Sequence, residues 1–175
     1  MPAPLIILTG PPGTGKSTAA ERLSATFDRS ALVGGDFFLE ALRAGKIEPW
    51  LPASHDQNTR VMEITARTAR DYATAGWTTV LEGIVGPWFL PTVLAEVGAL
   101  EVHYLVLTAP LDVCRTRVRI RSRGSMSAIV EKMHAEFETH APDDRHLVDA
   151  DRPREEIVAD LAARVASRDA LVSEG

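Results

Sequence analysis

The stretch Gly10-Pro-Pro-Gly-Thr-Gly-Lys-Ser-Thr18, "GPPGTGKST", follows the apolar run Leu5-Ile-Ile-Leu8 and precedes a helical pattern. Three glycines and two prolines in nine residues make neither a helix core nor a strand. The stretch satisfies G-x-x-x-x-G-K-[ST] without a mismatch, in the strand-before, helix-after context that such a loop requires. Gly10, Pro11, Pro12, Gly13, Thr14 and Gly15 are expected to wrap an anion, with main-chain N–H groups turned inward at a helix N-terminus. Lys16 then reaches the outer phosphates, Ser17 offers its hydroxyl to Mg²⁺, and Thr18 lies near the α-phosphate. A mere glycine-proline turn would leave Lys16 and Ser17 without a packing purpose. The expected ligands are a nucleoside triphosphate, ATP, and Mg²⁺.

The 175 residues suit one domain, 1–175. A formal net charge of −5 argues against a broad electrostatic grip on nucleic acid, so an anion must be held by a local concentration of cations. One cysteine, Cys114, excludes an internal disulfide framework and a thiolate zinc cluster. The start "MPAPLIILTG" lacks the basic and apolar regions of an export signal, and no apolar run approaches the ~18–20 residues of a membrane span. The expectation is a soluble cytoplasmic protein, monomer or homodimer, with neither nucleic acid nor membrane as partner.

Apolar runs at Leu5–Thr9, Ala31–Gly34, Thr78–Glu82 and Val102–Leu107, with a weaker one at His146–Asp149, read as buried parallel strands. Helical patterns alternate with them: the glycine loop to about Phe27, "FFLEALRAG" ending at Gly45, Gln57–Ala75, Pro87–Val97, Leu111–Arg123, Ser127–Thr139 and Pro153–Val172. Only "VSEG" at the end looks loose. This alternation predicts an α/β three-layer sandwich with helices on both faces of a parallel sheet.

The loop by itself names no reaction. GTPases carry N-K-x-D, which this chain lacks, and AAA-type machines need more length and a second domain. The loop together with its element order resembles the small P-loop kinases of the nucleoside-monophosphate-kinase type. Shikimate kinase, gluconate kinase, chloramphenicol phosphotransferase and the zeta-toxin group belong to this set. The resemblance implies a five-stranded sheet of order 2-3-1-4-5, an acceptor-binding insertion at about 37–60 and a lid at about 117–130.

"VGGDFF" places Asp36 at the end of the second strand, where those kinases carry an acceptor-binding carboxylate beside Phe37. Such an acid can accept a hydroxyl proton, and it can equally cap the helix that follows. "TRVME" sets Arg60 and Glu63 one turn apart, similar to the R-x-x-E pair of shikimate kinases, and also suits a solvated face. "VLEGIVG" ends the third strand with Glu82-Gly83, beside the metal and acceptor in the kinases it resembles, or forms a plain strand-end turn.

"CRTRVRIRSRG" packs five arginines into nine residues. They fall into two rows, Arg115, Arg119 and Arg123 against Arg117 and Arg121. Density of this kind calls for an anion, and a transferring phosphoryl group supplies one. Spacing does not choose between the rows. The resemblance, counted from Pro110, selects Arg117 and Arg121, with Arg123 next. It also places Asp151 and Arg152 of "VDADRPREE" near the base, where capping of the last helix explains them as well. Ser54-x-x-Gln57 matches a capping box.

Phe37, Phe38, Trp50 and Leu51, with Trp88 and Phe89, suggest an acceptor site that is partly apolar. The reading is a phosphotransferase moving the γ-phosphoryl group of ATP to a hydroxyl of a small molecule, an antibiotic, sugar-like metabolite or nucleoside. Catalytic roles fall to Asp36, Lys16, Arg121 and Arg123. The alternatives are a nucleoside or nucleotide kinase and a non-catalytic NTP-binding switch.

Overall fold

The structure, a computed structural model, describes the backbone of residues 1–122 and 127–174, and side chains over 1–120 and 129–172. Strand β1 is Leu5–Thr9, and all five of its residues are buried. Leu5 and Ile7 face one core cluster while Ile6 and Leu8 face another. That is why the run shows no polar alternation: a central strand covered on both sides has no solvent face.

Around it stand β2 (Ser30–Gly34), β3 (Thr78–Glu82), β4 (Glu101–Thr108) and β5 (Leu147–Asp149), in the order β2-β3-β1-β4-β5. All four of these neighbouring pairs are parallel. The order matches that implied by the kinase resemblance. Helices α1 (Lys16–Ser24) and α7 (Arg154–Ser167) cover one face through Ala19, Ala20, Leu23, Ile157 and Leu161. Helices α3 (His55–Thr74) and α4 (Leu90–Val97) cover the other through Ala66, Ala69, Ala73, Val93 and Val97. The short α2 (Gly35–Glu40), α5 (Leu111–Ser122) and α6 (Ser127–Thr139) gather at the C-terminal end of the sheet.

The chain end departs from expectation. Helix α7 stops at Ser167, five residues before Val172, and Arg168 caps it in a left-handed conformation, φ 64°. Leu171–Glu174 then forms a sixth strand, β6, antiparallel to the first half of β4. Strand β5 pairs only with Val106–Thr108, so the earlier main-chain groups of β4 would otherwise lie on an open edge. Arg168 holds the turn by an ion pair to Glu101 at 2.7 Å, and Glu101 in turn lies 3.0 Å from Nε2 of the buried His103. A helical period could not register an edge that the rest of the fold leaves vacant.

Two bonds tie the loop after β3 to the sheet. The Val85 N–H donates to Thr9 Oγ1 at 2.9 Å, and the Tyr104 hydroxyl donates to the Val85 carbonyl at 2.8 Å. Tyr104 is fully buried, and burial pushes its phenol pKa up, so the hydroxyl stays protonated and donating. Among the described residues no helix is long and apolar enough to cross a membrane. Tyr104→Phe leaves the buried Val85 carbonyl without this donor and is expected to destabilise the fold by about 1–3 kcal/mol. A fall in the urea midpoint at unchanged slope checks it.

Candidate active site

The phosphate loop runs between β1 and α1 and is fixed by main-chain packing. A Cβ on Gly13 would stand 2.5 Å from the Cys114 carbonyl oxygen, and one on Gly10 would stand 2.3 Å from that of Leu107. Both residues also have positive φ, 93° and 142°, so only glycine meets the two demands together. Gly15 differs: its φ is 90°, but a Cβ there would find no heavy atom within 4 Å, leaving open space at the head of α1.

Inside the loop, Thr14 Oγ1 donates to the Pro11 carbonyl at 2.9 Å and Lys16 Nζ donates to the same oxygen at 3.2 Å. The lysine is thus folded back along the loop it would serve. Ser17 Oγ donates to Glu82 Oε1 at 3.0 Å, joining the start of α1 to the end of β3. Beside this junction the start of α2 comes close to the end of β3: a Cβ on Gly35 would lie 3.3 Å from the Glu82 carbonyl oxygen.

Two hollows bear on the site, one against the loop and one lined by α2, α3, the segment after β3 and α6. The smaller, about 120 Å³, is bordered by Thr14, Gly15, Thr18, Arg117 and Arg152. Arg117 reaches the Ala150 carbonyl at 3.2 Å and lies 3.6 Å from Asp151 Oδ1. Arg152 donates to the Asp149 carbonyl at 2.9 Å and pairs with Asp160, which also receives Arg164 at 2.9 Å. Arg152 therefore braces the loop before α7 instead of capping that helix, whose N-cap is Pro153. Burial pushes the Asp160 carboxyl up, but the hydrogen bonds from Arg164 and Arg152 outweigh it and hold the group below the usual aspartate range.

The larger cavity, about 400 Å³, opens where Asp36 stands in the first turn of α2. Asp36 is not the cap of α2; the N-cap is Gly34. Trp50, Met62, Trp88, Phe89 and Met133 give the cavity an apolar wall. One side of it is the loop before α3, and here the expected capping box does not form. Ser54 Oγ donates to the Pro49 and Leu51 carbonyls at 2.9 and 2.7 Å. Gln57 instead clips Ile47, accepting from its N–H and donating to its carbonyl, both at 2.7 Å. Asn58 adds a bond to Pro49 at 2.8 Å. These side chains satisfy loop backbone that a capping pattern would have left bare.

The expected site residues divide clearly. Gly10, Gly13, Lys16, Ser17 and Glu82 meet around the loop, Arg117 and Arg152 meet at the smaller hollow, and Asp36 and Gly83 meet at the larger. Arg60 does not join them: its side chain is 77% exposed and pairs with the largely buried Glu63 at 2.9 Å, an ion pair one turn apart on α3. Phe37 is 74% exposed, edge-on to Phe38, and lies outside the cavity lining. Of the two arginine rows, Arg117 turns toward the loop, 3.5 Å from the Gly13 carbonyl, whereas Arg115 pairs with Glu131 of α6 at 2.5 Å. The Arg121 side chain and Arg123 lie outside the described residues. Contributions from α6, namely Ile129, Lys132, Met133 and Glu136, were missed because its pattern reads as an ordinary amphipathic helix. Cys114 is fully buried and burial pushes its thiol up, which leaves it structural.

A family model described as an AAA domain, AAA_33, matches residues 5–140. The chain belongs to that family. A cytidylate kinase of Haloquadratum walsbyi is 29% identical over 138 residues, spanning 78% of this chain and 68% of that protein. Among solved structures, a gluconokinase from Sinorhizobium meliloti matches with TM-score 0.74 at 18% identity, covering 96% of this chain and 94% of its own. The tunicamycin resistance protein of Deinococcus radiodurans matches with TM-score 0.66 at 25% identity, covering 93% and 95%. The AAA name notwithstanding, the sheet order and these relatives make this a small P-loop kinase of the nucleoside-monophosphate-kinase-like group.

Lys16→Ala removes the cation of the loop and is expected to weaken ATP binding about tenfold or more, by calorimetric titration, with the urea midpoint nearly unchanged. Asp160 gives a separate, pH-dependent test. Its lowered pKa contributes stability above the ordinary aspartate value, which is lost as pH falls through the folded-state value. Asp160→Asn should therefore be less stable than wild type at neutral pH, with the gap in unfolding midpoint closing in acid.

Proposed function

We propose that the protein transfers the γ-phosphoryl group of ATP to a hydroxyl of a small molecule seated in the larger cavity. The observation that carries this reading is the cavity itself: apolar and aromatic, with an unpaired carboxylate at its mouth and, among the described residues lining it, no arginine. Its volume falls within the range of pockets that enclose small ligands. Asp36 makes no ion pair or hydrogen bond among the described residues, which leaves it able to receive an acceptor hydroxyl.

The residues around the loop fit ATP with Mg²⁺. Gly15 leaves the head of α1 open to an anion, Lys16 is within the loop, and the Ser17 hydroxyl offers one metal position with Glu82 directly behind it. No cluster of three or more His, Cys, Asp or Glu exists among the described residues to hold a metal alone, so Ser17 would share the ion with phosphate oxygens. Arg117 and Arg152 would flank the nucleoside from their positions beside Thr14 and Thr18. Bound ATP supplies the phosphoryl group, which the acceptor oxygen takes as the bond to ADP breaks. Asp36 orients that oxygen and receives its proton. Trp88, Phe89 and the loop before α3 exclude water from the acceptor side.

A second reading, transfer to a nucleoside monophosphate, is supported by the cytidylate kinase relative. It asks the cavity to hold an acceptor phosphate, and the lining supplies one lysine among the described residues, Lys132, whose Nζ already donates to the Trp50 carbonyl at 3.1 Å. The kinase relatives favour either transfer over a non-catalytic switch.

A coupled assay of ADP release, run over neutral alcohols, nucleosides and CMP, separates the readings. Alcohols are expected to stimulate release more than CMP, and Asp36→Asn is expected to lower kcat by about 10²–10⁴ with little change in the KM for ATP. Full turnover in Asp36→Asn removes this residue from the base role, and preference for CMP selects the second reading.

A further inference from the structure

The acceptor cavity carries negative charge at two separate places. Asp36 comes from the first turn of α2 and is engaged by the proposed transfer; Glu136 comes from α6 and is so far without a task. Neither carboxylate meets an arginine or a lysine among the described residues. Glu136 has as its charged neighbour the ring of His140, with Nδ1 3.7 Å from Oε2. That ring nitrogen lies closer, at 3.0 Å, to the Glu136 main-chain carbonyl. Lys132, the cation on the same wall, is engaged at the Trp50 carbonyl.

An aromatic wall lines the same cavity as Glu136. The Trp88 ring packs against Gly86, where a Cβ would lie 2.4 Å from it, and meets Phe137 edge-on at 5.2 Å. It also lies 5.9 Å from the His140 ring, so Trp88 and Glu136 share a neighbour. A tryptophan packed against Gly86 and Phe137 and a carboxylate lining the same cavity form a combination that favours a cation through ring quadrupole and charge together. The same combination disfavours a carboxylate or phosphate.

We infer that the acceptor is an alcohol that also bears an ammonium group, its hydroxyl toward Asp36 and its ammonium between Glu136 and the Trp88 wall. The hydroxyl end rests on the phosphotransferase reading; the ammonium end rests on Glu136 and Trp88 alone. Glu136 is then a specificity residue, and the acceptor differs in charge from the anion that a gluconokinase or a cytidylate kinase is named for.

Tryptophan fluorescence supplies a direct test, because Trp50 and Trp88 line the cavity. Three probes share one skeleton: phenylalaninol, its deaminated counterpart phenylpropanol, and the hydroxy acid phenyllactate. Phenylalaninol should bind about tenfold or more tightly than phenylpropanol, and phenyllactate least. In Glu136→Gln the preference should shrink to about twofold, while Glu138→Gln, on the same helix with a side chain 71% exposed, should retain it. Equal binding of the three, binding of none, tighter binding of phenyllactate, or a preference that survives Glu136→Gln each overturns the inference. ADP release measured on the same probes keeps the two readings apart. Ammonium preference with no release from any alcohol sinks the phosphotransferase reading and leaves only the ammonium subsite standing; release without ammonium preference overturns the subsite and leaves the phosphotransferase reading in place.

Discussion

The close approach of Gly13 to the main chain of Cys114 is the constraint on which the site depends. A side chain there would collide with backbone, not with a movable side-chain tip, so the phosphate loop and the first turns of α5 are pressed into one unit. Gly10 repeats the contact against Leu107 at the end of β4. The strand end, the loop and the arginine helix therefore share a single rigid seat. From that seat follow the direction of α1, the position of Lys16 and Ser17, and the turn of Arg117 toward the loop. Electrostatics acts on a geometry that backbone packing has already set.

The two hollows differ in chemistry because different elements build them. The smaller is bounded by α1, α5 and the segment leading into α7, which bring Arg22, Arg117, Arg152 and Arg154 to it. The larger is bounded by α2, α3, the loop after β3 and α6, which bring aromatics, methionines and two carboxylates. The two hollows thus differ in charge, the smaller cationic and the larger apolar with two carboxylates and one lysine, Lys132. In the proposed transfer this difference would give a phosphoryl donor and a less anionic acceptor distinct places to lie.

Local signals in the sequence were sufficient for much of this. The central strands announce themselves by apolar runs, and the phosphate loop by residue types that packing does not explain. Asp36 drew notice as an acid just after a strand, and the structure sets it in the first turn of α2, lining the larger cavity. What stayed hidden depends on partners far along the chain. Strand β6 exists because β5 is short and leaves part of β4 to be paired, which no window around Leu171 contains. Gln57 looked like half of a capping box, since its true partner, the Ile47 backbone, lies in a loop whose path a helical pattern does not encode. Arg60 and Glu63 show the opposite difficulty: a spacing that suits ligand contact also suits an ordinary ion pair along one helix, which is how they stand here. Glu136 carried no signal until the fold brought α6 over the cavity.

Val85 donates its N–H to β1 and receives the Tyr104 hydroxyl from β4, so the floor of the larger cavity moves only with the sheet. The opposite wall is attached differently, by the side chains of Ser54, Gln57 and Asn58 and by one lysine from α6. Replacements in the loop before α3 or along α6 can reshape that wall while the floor and the phosphate loop keep their places. The architecture thereby lets the shape of the larger cavity change independently of the loop that the Walker-type sequence builds.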